Sequence, residues 1–579
     1  MKPSLPLAPL FAGIASAAAI IHHAANIPHG WTLLQDLIQP TQRIQFSIAL
    51  DRPHMSDLRS KIGANKPHLS LDEVKALRAP DPNHVKLVLQ WLNENGVDDY
   101  DVSDEWIHVR TDVSKAEPLL DMRLQNFVFQ DRAPMLRTLK YSIPDSLRDI
   151  IKFVNPVNNF MKPHHKVMIS AESEDMSVQS ESASDAVPCL GSVTPGCIRD
   201  LYNITYDTKQ ESDVRIGVAG FLDEFTNYAD TDVFLRGQAP DLAGRNFTVE
   251  SINQGGDDQS NPGVEAALDI EYVMALAAPA KAIYYSTSGR GVKLDDDGKP
   301  ISGAGDDNEP YLELLEYLLR KPSSQLPHVL SISYGDDELS VPANYAEHVC
   351  GTFGLLTARG ISILGSSGDG GAAGGQHSKC LTNDGANRQV AMGTFPSTCE
   401  WITSVGATAS GREPPSAAIF SSGGFSQRYE RPPWQNGPGL VDDYVGELNG
   451  HLQGKYDANM RAFPDISVVG TRFAIVVGGQ RMLVDGTSAS TPTLASMIAL
   501  VTDARLKMGK KPLGWLNELI YSEEVRAVLQ DVTNGTTQSC TWNGETPGGW
   551  PALKGWDAAT GVGVPKNFEK FMQVLVDLY

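Results

Sequence analysis

Residues 328–371 read HVLSISYGDDELSVPANYAEHVCGTFGLLTARGISILGSSGDGG, and this stretch decides the fold. The apolar runs at its two ends, HVLSISYG and GISILGSSGD, are typical of buried strands. The segment between them, NYAEHVCGTFGLLTARG, is typical of a helix. A strand, a helix and a second strand in this order favour two parallel strands joined by a crossover helix.

The same alternation continues on both sides of this stretch. VRIGVAGF (residues 214–221) and AKAIYYS (residues 280–286) resemble strands, and GVEAALDIEYVMALAA (residues 263–278) resembles a helix. The repetition predicts an α/β domain over residues 189–579, with a mostly parallel sheet and helices on both faces.

A different pattern occupies residues 20–169. RIQFSIAL (residues 43–50) and EWIHVRTDV (residues 105–113) alternate like strands. SLDEVKALRA opens with Ser70 and has Glu73 three residues later, which is the spacing of a capping box. Strands and helices therefore mix in a small α+β domain.

The segment between the two domains has the composition of a linker. Residues 170–187 read SAESEDMSVQSESASDAV, in which serine and acidic residues dominate. We interpret residues 170–188 as a linker that is open to proteolysis, and an ordinary surface loop is the alternative.

The N-terminus resembles a secretory signal peptide. Lys2 precedes an apolar run from Leu5 to Ile21 that contains several small residues. The prediction is a signal peptide at residues 1–19, with cleavage somewhere between Ala17 and Ala25. A buried N-terminal helix is the alternative, and the run is short for a membrane span.

The charge of the chain disfavours two classes of partner. The 579 residues include 48 basic and 70 acidic side chains, giving a formal net charge of −22. Such a protein should repel nucleic acid and anionic membranes at neutral pH. The carboxylates also suit an acidic medium or simple solubility, and composition alone does not choose between these interpretations.

Six cysteines and three glycosylation sequons fit an exported protein. The even number of cysteines predicts disulfides, although their pairing is open at this point. The sequons are at Asn203, Asn246 and Asn534. Together with the N-terminal segment, these features predict a secreted, extracellular glycoprotein.

A candidate nucleophile stands out in VDGTSASTPTLASMIALV, residues 484–501. Ser488 lies in a Gly-Thr-Ser turn at the entrance to a long apolar helix. Backbone N–H groups are unpaired at such an entrance, and the helix dipole favours a developing anion. A plain N-cap serine is the alternative.

A serine nucleophile needs a base, and no histidine offers a suitable setting. The C-terminal domain contains His328, His348, His377 and His451, none of them in a His-Gly-x-His context. We interpret all four as structural.

Two carboxylates can replace the histidine. Glu265 and Asp269 are four residues apart, so a helix places both on one face. Like charges this close share a proton at low pH, and a carboxylate base works best near its own pKa, which predicts acid activity. A solvated helix face is the alternative, favoured by the third acid Glu271 and disfavoured by the apolar neighbours.

A third acid follows a strand in SILGSSGDGG, residues 362–371. Functional groups gather at the carboxyl ends of parallel strands, and a protonated Asp369 there would donate a hydrogen bond to an oxyanion. A turn aspartate that caps its own backbone is the alternative.

These segments together resemble the sedolisins, or serine-carboxyl peptidases, in their fungal tripeptidyl-peptidase-like branch. Matching phrases include HGW, RIQFSIALDR, SVTPGCIRDLYNI, SSGDGG, FPSTCEWITSVGAT, SSGGFSQRY, RAFPDIS, DGTSASTP and GWDAATGVGVP. The resemblance runs from about Gly30 to the C-terminus, and its one noted departure is Asp485, where the family often has Ser or Asn.

The resemblance implies a role for each candidate. Ser488 would be the nucleophile, Glu265 its general base, Asp269 the group that orients Glu265, and Asp369 the oxyanion acid. It also implies a subtilisin-like peptidase domain with peptide and protein substrates. The first domain would be a ferredoxin-like prodomain that inhibits the enzyme until the linker is cut.

The resemblance further implies one bound Ca²⁺ near the C-terminus. The expected ligands are the carboxylates of Asp531 and Asp557 and the backbone carbonyls of Val532, Leu553 and Gly555. Such oxygen ligands suit a hard cation.

Family position also suggests how the cysteines pair. The implied disulfides are Cys189–Cys197, Cys350–Cys399 and Cys380–Cys540.

Overall fold

The structure is a computed structural model that describes most of the chain. The described residues are 18–23, 27, 31–63, 66–129, 134–160, 164–165, 168–172, 189, 191–209, 211–253, 255–288, 311–375, 380–382, 386–411 and 413–578. The predicted signal peptide therefore lies outside the described residues apart from its last two positions, and so does the predicted linker from residue 173 onward.

In its described residues, the first domain is built from short strands and four α-helices. Its strands are β1 (Ala18–His23), β2 (Trp31–Leu33), β3 (Arg43–Leu50), β4 (Tyr100–Ser103), β5 (Trp106–Asp112), β6 (Gln125–Phe129), β7 (Met135–Arg137), β8 (Lys140–Pro144) and β9 (Ile151–Asn155). Its helices are α1 (Leu58–Lys61), α2 (Leu71–Arg78), α3 (Pro82–Glu94) and α4 (Val113–Leu119).

The capping box predicted at Ser70 begins α2. The Ser70 side chain accepts from the Glu73 backbone and the Glu73 side chain accepts from the Ser70 backbone, so the capping box forms at the start of α2. The four-stranded sheet has the order β4-β5-β3-β9 with every pair antiparallel. With α2–α3 and α4 in the two crossovers, this is the βαββαβ arrangement of a ferredoxin-like domain, as expected.

The chain then runs through two short strands into the C-terminal domain. These are β10 (His164–His165) and β11 (Met168–Glu172). Later strands are β12 (Arg215–Gly220), β13 (Thr248–Ile252), β14 (Lys281–Thr287), β15 (Val329–Ile332), β16 (Tyr334–Asp337), β17 (Ser362–Ser366), β18 (Thr394–Phe395), β19 (Thr403–Thr408), β20 (Gly424–Glu430), β21 (Met460–Phe463), β22 (Ile466–Val469), β23 (Phe473–Val477) and β24 (Gln480–Asp485). The helices are α5 (Pro195–Tyr202), α6 (Tyr228–Gln238), α7 (Val264–Leu276), α8 (Tyr311–Arg320), α9 (Ala343–Ala358), α10 (Val441–Glu447), α11 (Thr487–Lys507), α12 (Asn517–Ile520), α13 (Glu523–Arg526) and α14 (Phe568–Asp577).

A seven-stranded parallel sheet forms the centre of this domain. Its order is β13-β14-β12-β15-β17-β19-β22, and each neighbouring pair is parallel. Helices α7 and α11 belong to the apolar core on one face, and α8 and α9 belong to the core on the other. Since both faces are covered, the strands read as continuous apolar runs. The predicted α/β fold is confirmed.

The first domain packs against α9. Trp106 and Phe153 join the core that α8 and α9 form with the sheet. The rings of Trp106 and His348 are 4.8 Å apart, and those of Phe153 and Tyr345 are 6.0 Å apart. An apolar surface therefore holds the two domains together.

The segment that leaves the first domain lies across the second. Strand β10 pairs antiparallel with β16, and β11 pairs antiparallel with β24. The predicted linker began at residue 170, but residues 170–172 continue β11, because an extended chain completes the hydrogen bonds of a strand edge.

The N-terminal strand β1 pairs antiparallel with β8 of the first domain. A cleavage at the end of the predicted window near Ala25 would remove this strand. No helix within the described part of the chain is long and apolar enough to cross a membrane.

Candidate active site

Ser488 lies in the first turn of α11 and is fully buried. Its Oγ donates a hydrogen bond to Oε2 of Glu265 at 3.0 Å, and the carbonyl oxygen of Ser333 lies 3.4 Å away. The N-terminal end of a helix favours negative charge. The serine hydroxyl is thus placed between a carboxyl group and a region that stabilises an anion.

Glu265 and Asp269 lie one turn apart on α7, and both side chains are buried. The two carboxyl groups are close enough for the charge of Asp269 to act on Glu265. Ser333, which directly follows β15, donates from Oγ to Oδ1 of Asp269 at 2.9 Å. The one-face spacing predicted from the sequence therefore produces a carboxyl pair in contact with Ser488.

The pKa values of both carboxyl groups of the pair are raised. Burial, followed by the charges of Asp269 and Glu224, raises the pKa of Glu265 well above its usual range. Burial is also the main reason that the pKa of Asp269 is raised. Interacting carboxyls of this kind titrate as a unit, so one proton is shared between them over a range of pH.

Glu224 is a member of the site that sequence reasoning missed. Its Oε2 accepts a hydrogen bond from the backbone N–H of Glu265 at 3.1 Å, at the start of α7. Gly263 leaves room for this carboxylate, since a Cβ there would lie 1.8 Å from Oε2 of Glu224. Glu224 follows β12, and the rule that functional groups gather at the carboxyl ends of parallel strands is the signal that points to it.

Asp369 reaches the same site from the turn after β17. Its Oδ1 accepts hydrogen bonds from the backbone N–H of Thr487 at 2.8 Å and from Oγ1 of Thr487 at 2.9 Å. Gln538 Nε2 donates to its carbonyl oxygen at 2.9 Å. The charge of Asp369 contributes to the raised pKa of Glu265. The predicted alternative, a turn aspartate bonded to its own backbone, does not describe these contacts.

All four predicted catalytic residues therefore meet at one place. Ser333 and Thr487 complete it, and neither was singled out from the sequence. Ser333 follows a strand end like Glu224, whereas Thr487 gave no signal beyond its position next to Ser488.

The third acid on α7 is buried rather than solvated. Glu271 is fully buried, and its Oε2 accepts from the backbone N–H of Val476 on β23 at 3.0 Å. Burial raises its pKa well above the usual range. The solvated-face alternative for this helix is therefore wrong, because α11 and β23 pack over it.

The histidines of the C-terminal domain make structural contacts. His328 accepts from the backbone N–H of Arg215 at 3.1 Å, and His451 lies 2.7 Å from the carbonyl oxygen of Gly549. His348 is at the interface with the first domain. His377 lies outside the described residues.

Among the predicted calcium ligands near the C-terminus, Asp531 contacts Gly555 and lies within electrostatic range of Asp557. Gly555 donates its N–H to Oδ2 of Asp531 at 2.8 Å. Asp557 is fully buried, and its Oδ1 accepts from the N–H groups of Ala559 and Thr560 at 2.9 and 2.7 Å.

These residues fit a hard cation. Burial raises the pKa of Asp557 well above its usual range, and the charge of Asp531 adds to the effect. A cation between the two carboxylates would relieve both contributions, and the donor set with Val532, Leu553 and Gly555 consists of oxygen atoms. Calcium at this position remains a prediction.

A second group with metal-binding side chains lies elsewhere, between the two domains. Glu105, Glu316 and His348 place ligand atoms within 4.8 Å of one another, and all three are buried. Arg78 pairs with both carboxylates, at 2.8 Å from Glu105 and 2.6 Å from Glu316. Because an arginine already supplies positive charge to this group, we interpret it as an ion-pair cluster.

The six cysteines form three disulfides, Cys189–Cys197, Cys350–Cys399 and Cys380–Cys540. The suggested pairing is confirmed. The sequon residues Asn203, Asn246 and Asn534 are solvent-exposed, as glycosylation would require.

Two family models match the chain. Residues 29–160 match the Pro-kumamolisin activation domain, and residues 299–539 match the subtilase family.

Curated relatives match almost the whole chain. It is 38% identical to tripeptidyl-peptidase SED2 of Arthroderma otae over 97% of this chain and 96% of that protein. It is also 38% identical to the probable tripeptidyl-peptidase SED3 of Arthroderma benhamiae, over 88% of this chain and 86% of that protein.

Among solved structures, a Pseudomonas sedolisin in complex with pseudo-iodotyrostatin covers 67% of this chain and 99% of its own. Its TM-score is 0.47 and its sequence identity 16%.

Proposed function

This chain belongs to the sedolisin family of serine-carboxyl peptidases, and we propose that it is a secreted, acid-active enzyme that releases tripeptides from free N-termini. The relatives and the subtilase match make it a serine peptidase. The acid dependence, the acyl-enzyme route, the tripeptide specificity and the export are the proposal. The observation that carries it is the 3.0 Å hydrogen bond from Ser488 Oγ to Glu265.

The reaction begins with attack of Ser488 Oγ on the carbonyl carbon of the scissile bond. Glu265 takes the serine proton as the C–O bond forms, and Asp269 holds the proton that the pair shares. Glu265 then gives its proton to the leaving amine, so the C–N bond breaks and an acyl-enzyme remains. Water then attacks the acyl carbon while Glu265 takes a proton from that water, and the ester C–O bond breaks as Glu265 returns the proton to Ser488 Oγ.

Asp369 serves the oxyanion in this scheme. As a neutral acid it donates a hydrogen bond to the carbonyl oxygen when that oxygen gains charge. At neutral pH an ionised Asp369 would repel the oxyanion instead. The buried, proton-holding carboxyl pair and this requirement both support activity in acid.

The first domain acts as an inhibitor in this proposal. Strand β10 pairs with β16, which begins directly after Ser333, and β11 pairs with β24, which ends three residues before Ser488. A substrate peptide would need the same strand edges, so the segment that follows the first domain excludes it. Cutting the linker would release this block.

Export is supported by the oxidised cysteines. Disulfides persist in oxidising compartments and are rare in the cytosol. The three exposed sequons agree with passage through a compartment that glycosylates proteins.

Calcium has a structural part in the proposal. An ion held by Asp531, Asp557 and the carbonyls of Val532, Leu553 and Gly555 would neutralise two acidic side chains in the C-terminal loops. The Cys380–Cys540 disulfide and the Gln538 bond to Asp369 connect this region to the oxyanion segment.

The tripeptide specificity rests on the relatives, which are named tripeptidyl-peptidases. An endopeptidase with the same catalytic residues is the alternative. A protein-binding relative without activity is a third possibility from a different class, and the presence of all four catalytic side chains disfavours it.

The experiment offers one peptide with a free and with an acetylated N-terminus to the processed enzyme from acid to neutral pH, and identifies the products by mass spectrometry. We expect tripeptides from the free form alone and in acid alone. The Ser488→Ala variant should fold and give no product in either form.

Internal cuts in both peptides would make the protein an endopeptidase. Activity retained by Ser488→Ala would reject the nucleophile, and a folded, processed sample that cuts neither peptide would favour the binding protein.

A further inference from the structure

Thr487 directly precedes the nucleophile and is bonded twice to the Asp369 side chain. The backbone N–H of Gly368 donates to Oγ1 of Thr487 at 3.0 Å. Oγ1 in turn lies 2.9 Å from Oδ1 of Asp369. Because Oγ1 already accepts from Gly368, its single proton is available to point at Asp369.

Oδ1 of Asp369 therefore accepts two hydrogen bonds, one from the hydroxyl and one from the backbone N–H of Thr487. A neutral carboxyl group carries one proton, and the oxygen without it is the acceptor. A proton placed on Oδ1 would face two donors at less than 3 Å. The neutral acid consequently keeps its proton on Oδ2.

Burial makes this arrangement rigid. Thr487 is fully buried and Asp369 is 4% exposed, so water does not replace either bond at low cost. The same turn that carries the Ser488 hydroxyl thus fixes the orientation of the acid, and the distance between nucleophile and acid is set within two neighbouring residues.

We propose that Thr487 is a positioning residue that fixes the proton of Asp369 on Oδ2 and thereby aims it at the oxyanion. The inference rests on the proposed role of Asp369 as the oxyanion acid. In that role the hydroxyl of Thr487 acts together with its backbone N–H to keep Oδ1 the acceptor and Oδ2 the donor.

The test compares Thr487→Val, which keeps the shape of the side chain, with Thr487→Ser, which keeps the hydroxyl. Thr487→Val should lower kcat by about 10- to 100-fold, somewhat less than the loss of a direct oxyanion donor. KM should change little, since the substrate is not touched. Thr487→Ser should recover kcat to within a few-fold of the unchanged enzyme.

The pH profile separates positioning from a general loss of structure. Donors to a carboxylate favour its ionised form, so losing the hydroxyl should move the alkaline limb of kcat upward by about 0.5–1 pH unit. Glu265 is the titratable neighbour that couples to Asp369, and it should govern the other limb and leave it in place.

Thr491 provides the matched control on the same helix. It is fully buried, and its Oγ1 donates to the carbonyl oxygen of Thr487 at 2.8 Å without contacting a carboxyl group. Thr491→Val should leave the pH profile unchanged. If Thr487→Val fails to fold, Thr487→Cys replaces it, because a thiol is a much weaker hydrogen-bond donor than the hydroxyl of Thr487→Ser.

The outcomes distinguish this inference from the proposed function. If the unchanged enzyme shows no acid-limited activity, or Ser488→Ala stays active, the proposed function fails. If the unchanged enzyme has the acid profile but Thr487→Val keeps its kcat, shifts no limb, or is not rescued by Thr487→Ser, the positioning role of Thr487 is wrong.

Discussion

Two regions of this protein bury carboxyl groups at similar depth but shift their pKa values in opposite directions. In the active site, burial and neighbouring acids raise the pKa of Glu265 and Asp269 well above the usual range. At the interface between the domains, burial alone would also raise the pKa of Glu105, but contact with His348 and the charges of Arg78 and Arg52 hold it below its usual range.

The interface cluster is bonded from several directions. Arg78 lies 2.6 Å from Glu316 and 2.8 Å from Glu105, and Arg52 lies 3.4 Å from Glu105. Trp106 adds a hydrogen bond from Nε1 to Glu316 at 3.1 Å. Arg78 and Trp106 of the first domain therefore both bind the carboxylate of Glu316 in the second.

The difference shows what a buried carboxyl group is suited to do. Next to arginine it is a permanent charge that is costly to separate from its partner, so it fixes the position of a domain. Next to other acids it exchanges protons at accessible pH, so it can act as an acid and a base.

Removing the arginine should make the interface resemble the active site. Arg78→Met leaves Glu105 and Glu316 buried without their shared cation, and we expect it to destabilise the docked first domain by about 3–5 kcal/mol. Denaturant unfolding of the full chain in a Ser488→Ala background measures this. Arg110→Met is the matched control, because Arg110 pairs with Asp99 and Asp101 at the surface, where a loss of about 1 kcal/mol or less is expected. Equal effects of the two variants would contradict the comparison.

Acid should weaken the interface through His348. Burial and the charge of Arg52 lower the pKa of His348 from 6.5 to about 4, so the docked state disfavours its charged form. Docking stability is then complete above the ordinary histidine pKa and falls as the pH decreases toward 4, by up to about 3 kcal/mol. Glu105, with its lowered pKa, adds a loss at still lower pH.

His348→Gln should abolish the loss of docking stability between pH 6.5 and about 4. Tryptophan fluorescence of the full-length Ser488→Ala chain follows this, since Trp106 lies against His348. His54→Gln, at an exposed position of the first domain, is the control. An unchanged pH dependence in His348→Gln would remove histidine from this explanation.

At the proposed calcium site, a bound Ca²⁺ should compensate nearby carboxylates as Arg78 does at the interface. Calcium at 100 times its dissociation constant should stabilise the protein by about 2.7 kcal/mol, seen as a higher melting temperature that a chelator reverses. Asp531→Asn should lose most of this response, and Glu545→Gln, an exposed acid in the same region, should keep it. A melting temperature that ignores calcium in the unchanged protein would reject the site.

Replacing an active-site carboxyl group by a neutral amide should stabilise the fold, whereas replacing Arg78 at the interface should destabilise it. Because the pKa of Glu265 is raised, the folded protein holds a proton that the unfolded chain releases, and stability falls as the pH rises above the ordinary carboxyl range. Glu265→Gln should therefore gain about 1 kcal/mol at neutral pH, a typical value for relieving a functional site, while losing activity.

The gain of Glu265→Gln should shrink toward about pH 4, where the unfolded chain is protonated as well. Thermal unfolding at several pH values checks it, with the exposed Glu447→Gln as control. If Glu265→Gln is less stable than the unchanged protein at neutral pH, other contacts offset the cost of burying Glu265, and this prediction is wrong.

Much of the fold followed from local patterns. The strand at Arg43–Leu50 and the capping box at Ser70 form as predicted, because alternation and capping act over a few residues. The parallel sheet followed from the repeated strand–helix order. Glu271 was less predictable, since the burial of one side of α7 depends on β23, which lies about 200 residues further along the chain.

The sequence by itself determined that a serine begins a buried helix, that two acids share a helix face and that an acid follows a strand. These are spacings within single elements, which backbone geometry fixes. Only the tertiary structure decided that Glu224, Ser333 and Thr487 complete the site and that Arg78 compensates Glu105 and Glu316. Those contacts join segments far apart in the chain, and burial, which sets their pKa values and energies, exists only after the segments have packed.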